Sequence, residues 1–130
     1  MPLATEVYGQ GVDAMKKEDK RRQERYDTLN LLSYVCLDSD GKEWQQGMGR
    51  TLNVSERGIK LETHEPIETK YIVLLSIGLE DDVVDIRCKV IYCNRGESGR
   101  FESGIEFYEV GPHSMKVLKQ FIKEFEKQFE

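Results

Sequence analysis

The sequence predicts a mainly β fold, in which a six-stranded antiparallel β-barrel is followed by one C-terminal α-helix. Apolar and polar residues alternate from Leu29 onward, which is the period of a strand. Turn segments that contain Gly, Asp and Ser separate these short runs. The period lengthens to that of an amphipathic helix only after Pro112. Six short strands joined by hairpin turns are typical of a small barrel.

The first half of the barrel is predicted from three segments. Residues 29–38 form the first strand, because every second residue shares one face. The Asp40-Gly41 pair supplies a tight turn into the second strand, at residues 43–55. Two glycines inside the second strand indicate a bend or a bulge. A third, short strand follows at residues 58–63.

The second half comprises strands at residues 71–79, 83–94 and 100–110, and then the helix. Pro112 or Ser114 can start this helix, since both residue types favour a helix N-terminus. Its apolar residues form one stripe, which we expect to pack on the open end or the flank of the sheet, with dimerisation as the alternative. The stripe consists of Leu118, Phe121, Ile122, Phe125 and Phe129.

The length of the chain predicts one domain. A chain of 130 residues and 15.1 kDa can bury a single core. We expect a flexible N-terminal arm at residues 1–19 and one barrel domain at residues 20–130. No apolar run approaches the ~18 residues of a membrane helix, and the N-terminus lacks the pattern of a signal peptide. We therefore expect a cytoplasmic protein without membrane insertion.

The three cysteines indicate neither a disulfide framework nor a zinc site. Their number is odd and no CxxC pair occurs. Cys36, Cys88 and Cys93 are therefore expected to be small buried residues in a reducing compartment. Cys88 and Cys93 are five positions apart in one predicted strand, so we expect them on opposite faces.

The sequence contains no pattern of a catalytic site. His64 and His113 are the only histidines, and neither has the spacing that would pair it with a nucleophile. HExxH, GxSxG and Walker sequences are absent. The acidic residues are spread along strand faces and turns, where solvated surface explains them. We expect a protein that is not an enzyme and that holds no metal or cofactor.

Positive charge is concentrated in one short segment of an acidic protein. The formal net charge is −5, although residues 16–25 have a net charge of +3, so the remaining residues have a net charge of −8. Proteins that bind long nucleic acids usually present a broad basic face. The local charge therefore favours a small anionic ligand. The cations of this segment are Lys16, Lys17, Lys20, Arg21, Arg22 and Arg25.

Two short motifs give this segment a possible role. Arg21 and Arg25 form RxxxR just before the first strand. Asn53, Ser55 and Gly58 form NxSxxG between the second and third strands. Each motif alone is weak, because RxxxR most often marks a solvated helix face and NxSxxG most often marks a turn. RxxxR precedes the β-rich region and NxSxxG lies within it, and this order makes the combination more specific than either motif alone.

With these motifs the sequence resembles the PilZ family, which binds the bacterial second messenger cyclic di-GMP. All five signature positions agree with the family pattern, in which the first position of the second motif is Asp or Asn. The segment "SGIEFYE" also resembles the family's Gly-hydrophobic-x-Phe segment, at Gly104, Ile105 and Phe107. The similarity covers roughly residues 20 to 127.

The resemblance implies that Arg21 and Arg25 bind the ligand. An arginine fork can bind guanine O6 and N7 in two hydrogen bonds, and it can also bridge phosphate oxygens or stack on a purine. Lys20 and Arg22 are secondary candidates for phosphate contacts. The basic segment is then interpreted as a ligand clamp, and the acidic remainder discourages nucleic acid from occupying it.

The resemblance implies equally that Asn53, Ser55 and Gly58 bind the ligand. Guanine presents N1–H and N2–H donors, for which Asn53 supplies a carbonyl acceptor. Ser55 supplies a hydroxyl that can donate or accept. Gly58 lacks a Cβ, so the ligand can approach the backbone closely and a positive φ is allowed.

The family implies a receptor that acts through a protein partner. We expect residues 1–25 to be loose without ligand and to be ordered against the barrel rim by cyclic di-GMP, so that a partner reads the ordered arm. The protein is expected to be a monomer or a homodimer and not to bind nucleic acid.

Other interpretations of the sequence remain open. One is a protein-interaction adaptor of the same fold that binds no nucleotide. Another is a barrel that binds single-stranded nucleic acid, with Trp44, Tyr26 and Tyr34 as candidate stacking residues. An unrecognised enzyme ranks last.

Overall fold

A computed structural model describes Arg21, Asp27 and residues 29–79 and 81–130, and it confirms six strands and one C-terminal helix. The predicted arm at residues 1–19 lies outside the described residues. The elements are β1 (Leu31–Leu37), β2 (Glu43–Val54), β3 (Gly58–Thr63), β4 (Ile72–Leu79), β5 (Asp82–Arg95), β6 (Phe101–Phe107) and α1 (Pro112–Lys127).

The strands form the predicted closed antiparallel barrel. Their order is β1-β2-β3-β6-β5-β4, and pairing of β1 with β4 closes the sheet. The β4–β5 hairpin is thus inserted between β3 and β6 in sequence, while β3 and β6 pair directly in space. This crossover brings β2, β3, β6 and β5 together as four adjacent strands.

The barrel interior is filled by alternate residues of the strands. In β1 the interior residues are Leu32, Tyr34 and Cys36, whereas Leu31 and Ser33 face outward. The connection between β3 and β4 adds Ile67, which is completely buried at the end of the barrel remote from α1. Gln45 inside that end donates to the Tyr34 hydroxyl and to the Pro66 carbonyl. These bonds hold the connection across the barrel mouth.

Helix α1 closes the opposite end of the barrel, as the apolar stripe predicted. Val117, Leu118, Phe121 and Phe125 are buried against the core, and Ile122 is partly buried. Phe129, the last residue of the predicted stripe, is 70% exposed. Within the described residues, its one contact with another aromatic ring is an edge contact with Phe125, at 5.2 Å between centroids. The stripe therefore packs against the barrel over about two turns, from Leu118 to Phe125, and ends in solvent.

Polar contacts also fasten α1 to this end. The Asn30 and Gln128 amides exchange two hydrogen bonds, of 3.0 and 2.8 Å, and join the residues before β1 to the end of the helix. His113 Nε2 lies 3.0 Å from Asp82 Oδ1 at the start of β5. Lys119 Nζ lies 3.9 Å from a Glu56 carboxylate oxygen in the β2–β3 turn. The helix therefore links the start of β1, the β2–β3 turn and the start of β5.

Two strands contain irregularities that change which side chains face outward. The pairing register shifts between Thr51 and Asn53 in β2, and between Val90 and Tyr92 in β5. Beyond the second shift, Cys93 pairs with Ser103, which is buried inside the barrel. Since cross-strand partners share a face, Cys93 faces the interior, as Cys88 does. The prediction that these two cysteines face opposite sides is therefore wrong, because the bulge reverses the alternation between them.

Candidate ligand-binding site

An open depression of about 400 Å³ lies on the outside of the barrel across β2, β3, β6 and β5. We call it the outer groove. Three of the predicted ligand-binding residues, Asn53, Ser55 and Gly58, line it. Its other lining residues are Val54, Arg57, Ile59, Lys60, Ile91, Tyr92, Gly104, Ile105 and Glu106.

Strand register aligns four of these residues in one row. Asn53 is paired with Lys60, Lys60 with Gly104, and Gly104 with Tyr92. Because cross-strand partners share a face, all four positions belong to the outer surface. The bulges in β2 and β5 make this alignment possible, because Asn53 and Tyr92 both follow a register shift. The row therefore spans the groove from the NxSxxG motif to β5.

The turn at residues 55–57 is held by short-range hydrogen bonds. Ser55 N donates to the Gly58 carbonyl at 2.9 Å, and the Ser55 hydroxyl accepts a bond from Arg57 N at 3.2 Å. Asn53 Oδ1 accepts a bond from Val54 N at 2.9 Å. This bond fixes which atom of the amide is the oxygen, leaving its second lone pair and the NH2 group for other partners. The motif thus builds its own turn while its polar side chains stay exposed.

Gly58 is required by packing between strands. A Cβ built on Gly58 would collide with the Ile105 carbonyl oxygen of β6. Among the described glycines, only Gly41 and Gly99 have positive φ angles, so Gly58 does not use that freedom. The close approach seen in the structure is between β3 and β6, and the approach of a ligand to the Gly58 backbone stays a prediction.

Sequence reasoning missed several side chains that line the outer groove. Arg57 occupies a variable position of NxSxxG, so only its charge next to the motif could have drawn attention to it. Lys60 lies two residues beyond the motif and forms an ion pair with Glu102 at 3.0 Å. The hydrogen bond and charge of Glu102 raise the pKa of Lys60, which keeps it cationic. Tyr92 gave no signal, because its position depends on the bulge.

A second depression of about 600 Å³ adjoins the outer groove and shares Lys60 and Tyr92 with it. Three carboxylates line this neighbour, from Glu62, Glu97 and Glu102. Anionic groups are disfavoured there because like charges repel. Each depression has two cations, Lys60 with Arg95 in the neighbour and Lys60 with Arg57 in the outer groove, but the outer groove has only one carboxylate, from Glu106. The outer groove is therefore the better of the two positions for a phosphate.

The predicted arginine clamp is described at one position only. Arg21 is an exposed helical residue, and Lys20, Arg22 and Arg25 lie outside the described residues. Of the residues just before β1, Leu29 packs against the core and Asn30 is bonded to Gln128. The chain therefore enters the barrel at the end closed by α1, where the 55–57 turn also lies.

Other sequence candidates are placed elsewhere. Tyr34 is buried inside the barrel, so its role as an exposed stacking residue is wrong. Trp44 is exposed near the end remote from α1 and lies 6.0 Å from the Tyr71 ring, and Tyr26 is outside the described residues. The described part of the chain has no group of three or more potential metal ligands. It also has no helix of the length and apolarity that crossing a membrane requires.

Comparison with known proteins gives one family match and several similar structures. A family model for the PilZ domain matches residues 19–124. The chain is similar to the PilZ domain of YcgR from Escherichia coli with c-di-GMP, with a TM-score of 0.52, 10% identity, and coverage of 75% of this chain and 84% of the other. It is also similar to the PilZ domain of CeSA from a cellulose-synthesizing bacterium, with a TM-score of 0.51, 14% identity, and coverage of 74% and 93%.

A third similar structure is YcgR from Escherichia coli in complex with c-di-GMP. Its TM-score is 0.51 at 12% identity, and the match covers 76% of this chain and 42% of that longer one. At such identities these likenesses establish the fold. The search of curated proteins finds no match.

Proposed function

The chain belongs to the PilZ domain family, and from this premise we propose that it is a receptor for cyclic di-GMP. The observation that carries the proposal is the outer groove, in which Asn53, Ser55 and Gly58 of the NxSxxG motif lie together. Two of the similar structures contain c-di-GMP, which supports the same ligand. The protein is thus a binding module, with no reaction assigned to it.

The chemistry of the groove suits a small dianion with planar bases. Asn53 and Ser55 present an amide and a hydroxyl to the donor and acceptor edge of a guanine. Arg57 and Lys60 add positive charge beside them. Arg21 and Arg25 complete the site in this proposal, through forks that bind guanine or phosphate, with Lys20 and Arg22 in a supporting role.

We further propose that ligand binding orders the arginine-bearing segment against this end of the barrel. The Asn30–Gln128 amide pair supports the idea, because it fastens the residues between that segment and β1 to the end of α1. A change in the position of the arginine-bearing segment would then occur beside exposed residues of α1, where another protein can contact it. A protein partner is proposed to read this change, as a population shift towards the ligand-bound state.

Isothermal titration calorimetry with cyclic di-GMP tests the receptor proposal. We expect saturable binding by the wild type at micromolar affinity or tighter, and weaker binding by Arg21→Ala and Ser55→Ala. Loss of a hydrogen bond to a charged group costs about 1.5–3 kcal/mol, so Arg21→Ala should weaken binding by roughly 10-fold to 150-fold. Arg100→Ala is the matched control, since Arg100 is exposed at the far end of the barrel and pairs with Glu62.

Flat heats from folded wild-type protein would contradict the receptor proposal and favour the adaptor that binds no nucleotide. Titration with single-stranded RNA separates the remaining alternative. We expect no binding, because the net charge is −5. RNA affinity that falls steeply with salt would instead indicate a nucleic-acid-binding barrel.

A further inference from the structure

Two successive apolar side chains of β5 face solvent in the outer groove. Ile91 is 52% exposed and Tyr92 is 40% exposed. In a regular strand one of two successive residues would point inward. The register shift between Val90 and Tyr92 removes that constraint and leaves both side chains outside. The barrel core gains nothing from this exposure, so packing alone does not explain it.

The Tyr92 ring rests directly on the backbone of β6. A Cβ built on Gly104 would collide with the ring, at 2.7 Å from its Cδ2 and Cζ atoms and closer still to Cε2. The glycine therefore creates the space that the ring occupies. One side of the ring is covered by β6, and the exposed part of the residue lines both the outer groove and the neighbouring depression. The ring is held in place before any ligand arrives.

Charge and hydrogen-bonding groups lie in the same cross-strand row as this ring. Lys60 is between Tyr92 and Asn53 along the row Asn53–Lys60–Gly104–Tyr92. A molecule lying across the row meets an amide, a cation and an aromatic surface in succession. A planar base joined to a phosphate has the matching groups. The carboxylates of Glu102 and Glu106 beside this row disfavour a long polyanion.

We propose that Tyr92, seated on Gly104, is a stacking platform for one base of the bound dinucleotide. This inference rests on the proposed function and extends it by assigning a subsite to a residue outside both sequence motifs. The phenol ring contributes its face and Ile91 widens the apolar surface. Lys60, which is separated from Tyr92 in the row by Gly104, is the cation assigned to the phosphate of that nucleotide. The Tyr92 hydroxyl has no part in the interaction.

Calorimetry with cyclic di-GMP tests the platform through Tyr92→Ala and Tyr92→Phe. Removing an aromatic residue that stacks on a base weakens binding by about 5-fold to 150-fold, and we expect Tyr92→Ala to fall in this range. Tyr92→Phe keeps the ring and should bind within about 2-fold of the wild type. Trp44→Ala is the matched control, because Trp44 is an exposed aromatic residue at the other end of β2, and it should bind as the wild type does.

A double-mutant cycle separates stacking from a general effect on the fold. Gly104→Ala should push the ring off β6 and weaken binding by itself. In Tyr92→Ala the ring is gone, so adding Gly104→Ala should cause no further loss. Losses that simply add would overturn the assignment. Because the double variant lacks the collision, it remains informative even if Gly104→Ala alone folds poorly.

Fluorescence gives a direct readout of contact with the base. In a Trp44→Phe background, Tyr92→Trp places the only tryptophan on the platform. We expect saturable quenching by cyclic di-GMP with the midpoint found by calorimetry. Wild-type protein that fails to bind would refute the receptor proposal and the platform together. Tight wild-type binding that is unchanged in Tyr92→Ala would refute the platform and leave the receptor intact.

Discussion

Gly58 begins β3 at a point where the β6 backbone leaves no room for a Cβ. The nearest atom to an added Cβ is the Ile105 carbonyl oxygen, a backbone group that is fixed in the sheet. A rotamer change cannot relieve such a collision, so the strands themselves must separate. The glycine of NxSxxG therefore stabilises the barrel whether or not ligand is bound.

We expect Gly58→Ala to lower the free energy of unfolding by about 1–3 kcal/mol, the usual cost of overpacking. Urea denaturation of the ligand-free protein measures this. Gly78→Ala is the control, because its added Cβ would meet the Val83 side chain, at 3.0 Å, and this group can move. Equal stabilities for Gly58→Ala and wild type would show that the contact with Ile105 does not destabilise the variant.

The residues that line the outer groove show which single residues of the site can be predicted from the sequence and which cannot. Asn53, Ser55 and Gly58 were recognised because the motif resembles that of a known family. Lys60 and Tyr92 were not. Lys60 faces outward by the ordinary alternation of β3, but its position beside the motif depends on the shifted pairing of β2, and the outward direction of Tyr92 depends on the bulge in β5. Alternation along a strand cannot locate a bulge, because the extra residue is defined only by the partner strand.

At the scale of elements, the apolar stripe that runs along α1 and into the turn after it lies in two environments. Phe121 is completely buried against the barrel, and Phe129 is 70% exposed. Both belong to the same stripe in the sequence, so helical periodicity alone predicts that both are buried. The barrel end covers only the part of the helix that reaches across it.

We expect Phe121→Ala to cost about 3–5 kcal/mol of stability, because truncating a buried phenylalanine leaves a cavity. Phe129→Ala should change stability by about 0.5 kcal/mol or less, as exposed positions usually do. Thermal and urea unfolding of the two variants compare these costs under the same conditions. A large loss from Phe129→Ala would show that the end of α1 packs more tightly than its exposure indicates.

The order of the elements was largely predictable from sequence, and the closure of the sheet was only partly so. Turn residues and changes of period place six strands and the helix start at Pro112 within a few residues of their observed bounds. The barrel itself followed from the number of short strands and the family resemblance. The pairing of β3 with β6, on which the groove depends, joins segments separated by a whole hairpin, and no local pattern reports it.

At the scale of the whole molecule, the barrel interior holds ionisable groups that stay neutral. Burial raises the pKa of Cys36 to about 11 and that of Cys88 to about 12, and burial also raises the pKa of Tyr34. The reference value for a cysteine is 9.0. The folded state therefore binds these protons more tightly than the unfolded state does. Its stability is full below about pH 9 and falls as the pH rises towards the folded pKa values.

We predict an alkaline loss of stability of about 1.4 kcal/mol per pH unit for each thiol above pH 9. Urea denaturation at pH 8, 9.5 and 10.5 under reducing conditions measures it. The variant Cys36→Ala/Cys88→Ala should start from lower stability but lose less of it with rising pH, since only the two thiols have been removed. Parallel pH curves for the variant and the wild type would exclude the thiols as the source of the slope.

Closure of the barrel also restricts how another protein can recognise this one. Each of the six described strands is hydrogen-bonded to a neighbour on both sides, so none of them is an edge strand over its whole length. A peptide that binds by adding a strand, a common way for β proteins to capture extended segments, therefore finds no complete edge strand; only strand ends that run past a partner, such as residues 90–95 of β5 beyond β4, leave one side without a strand. Within the described residues, recognition relies mainly on side chains of the outer face, the turns and α1. Among the described residues, the same closure leaves no complete edge strand, the feature through which β proteins most readily aggregate.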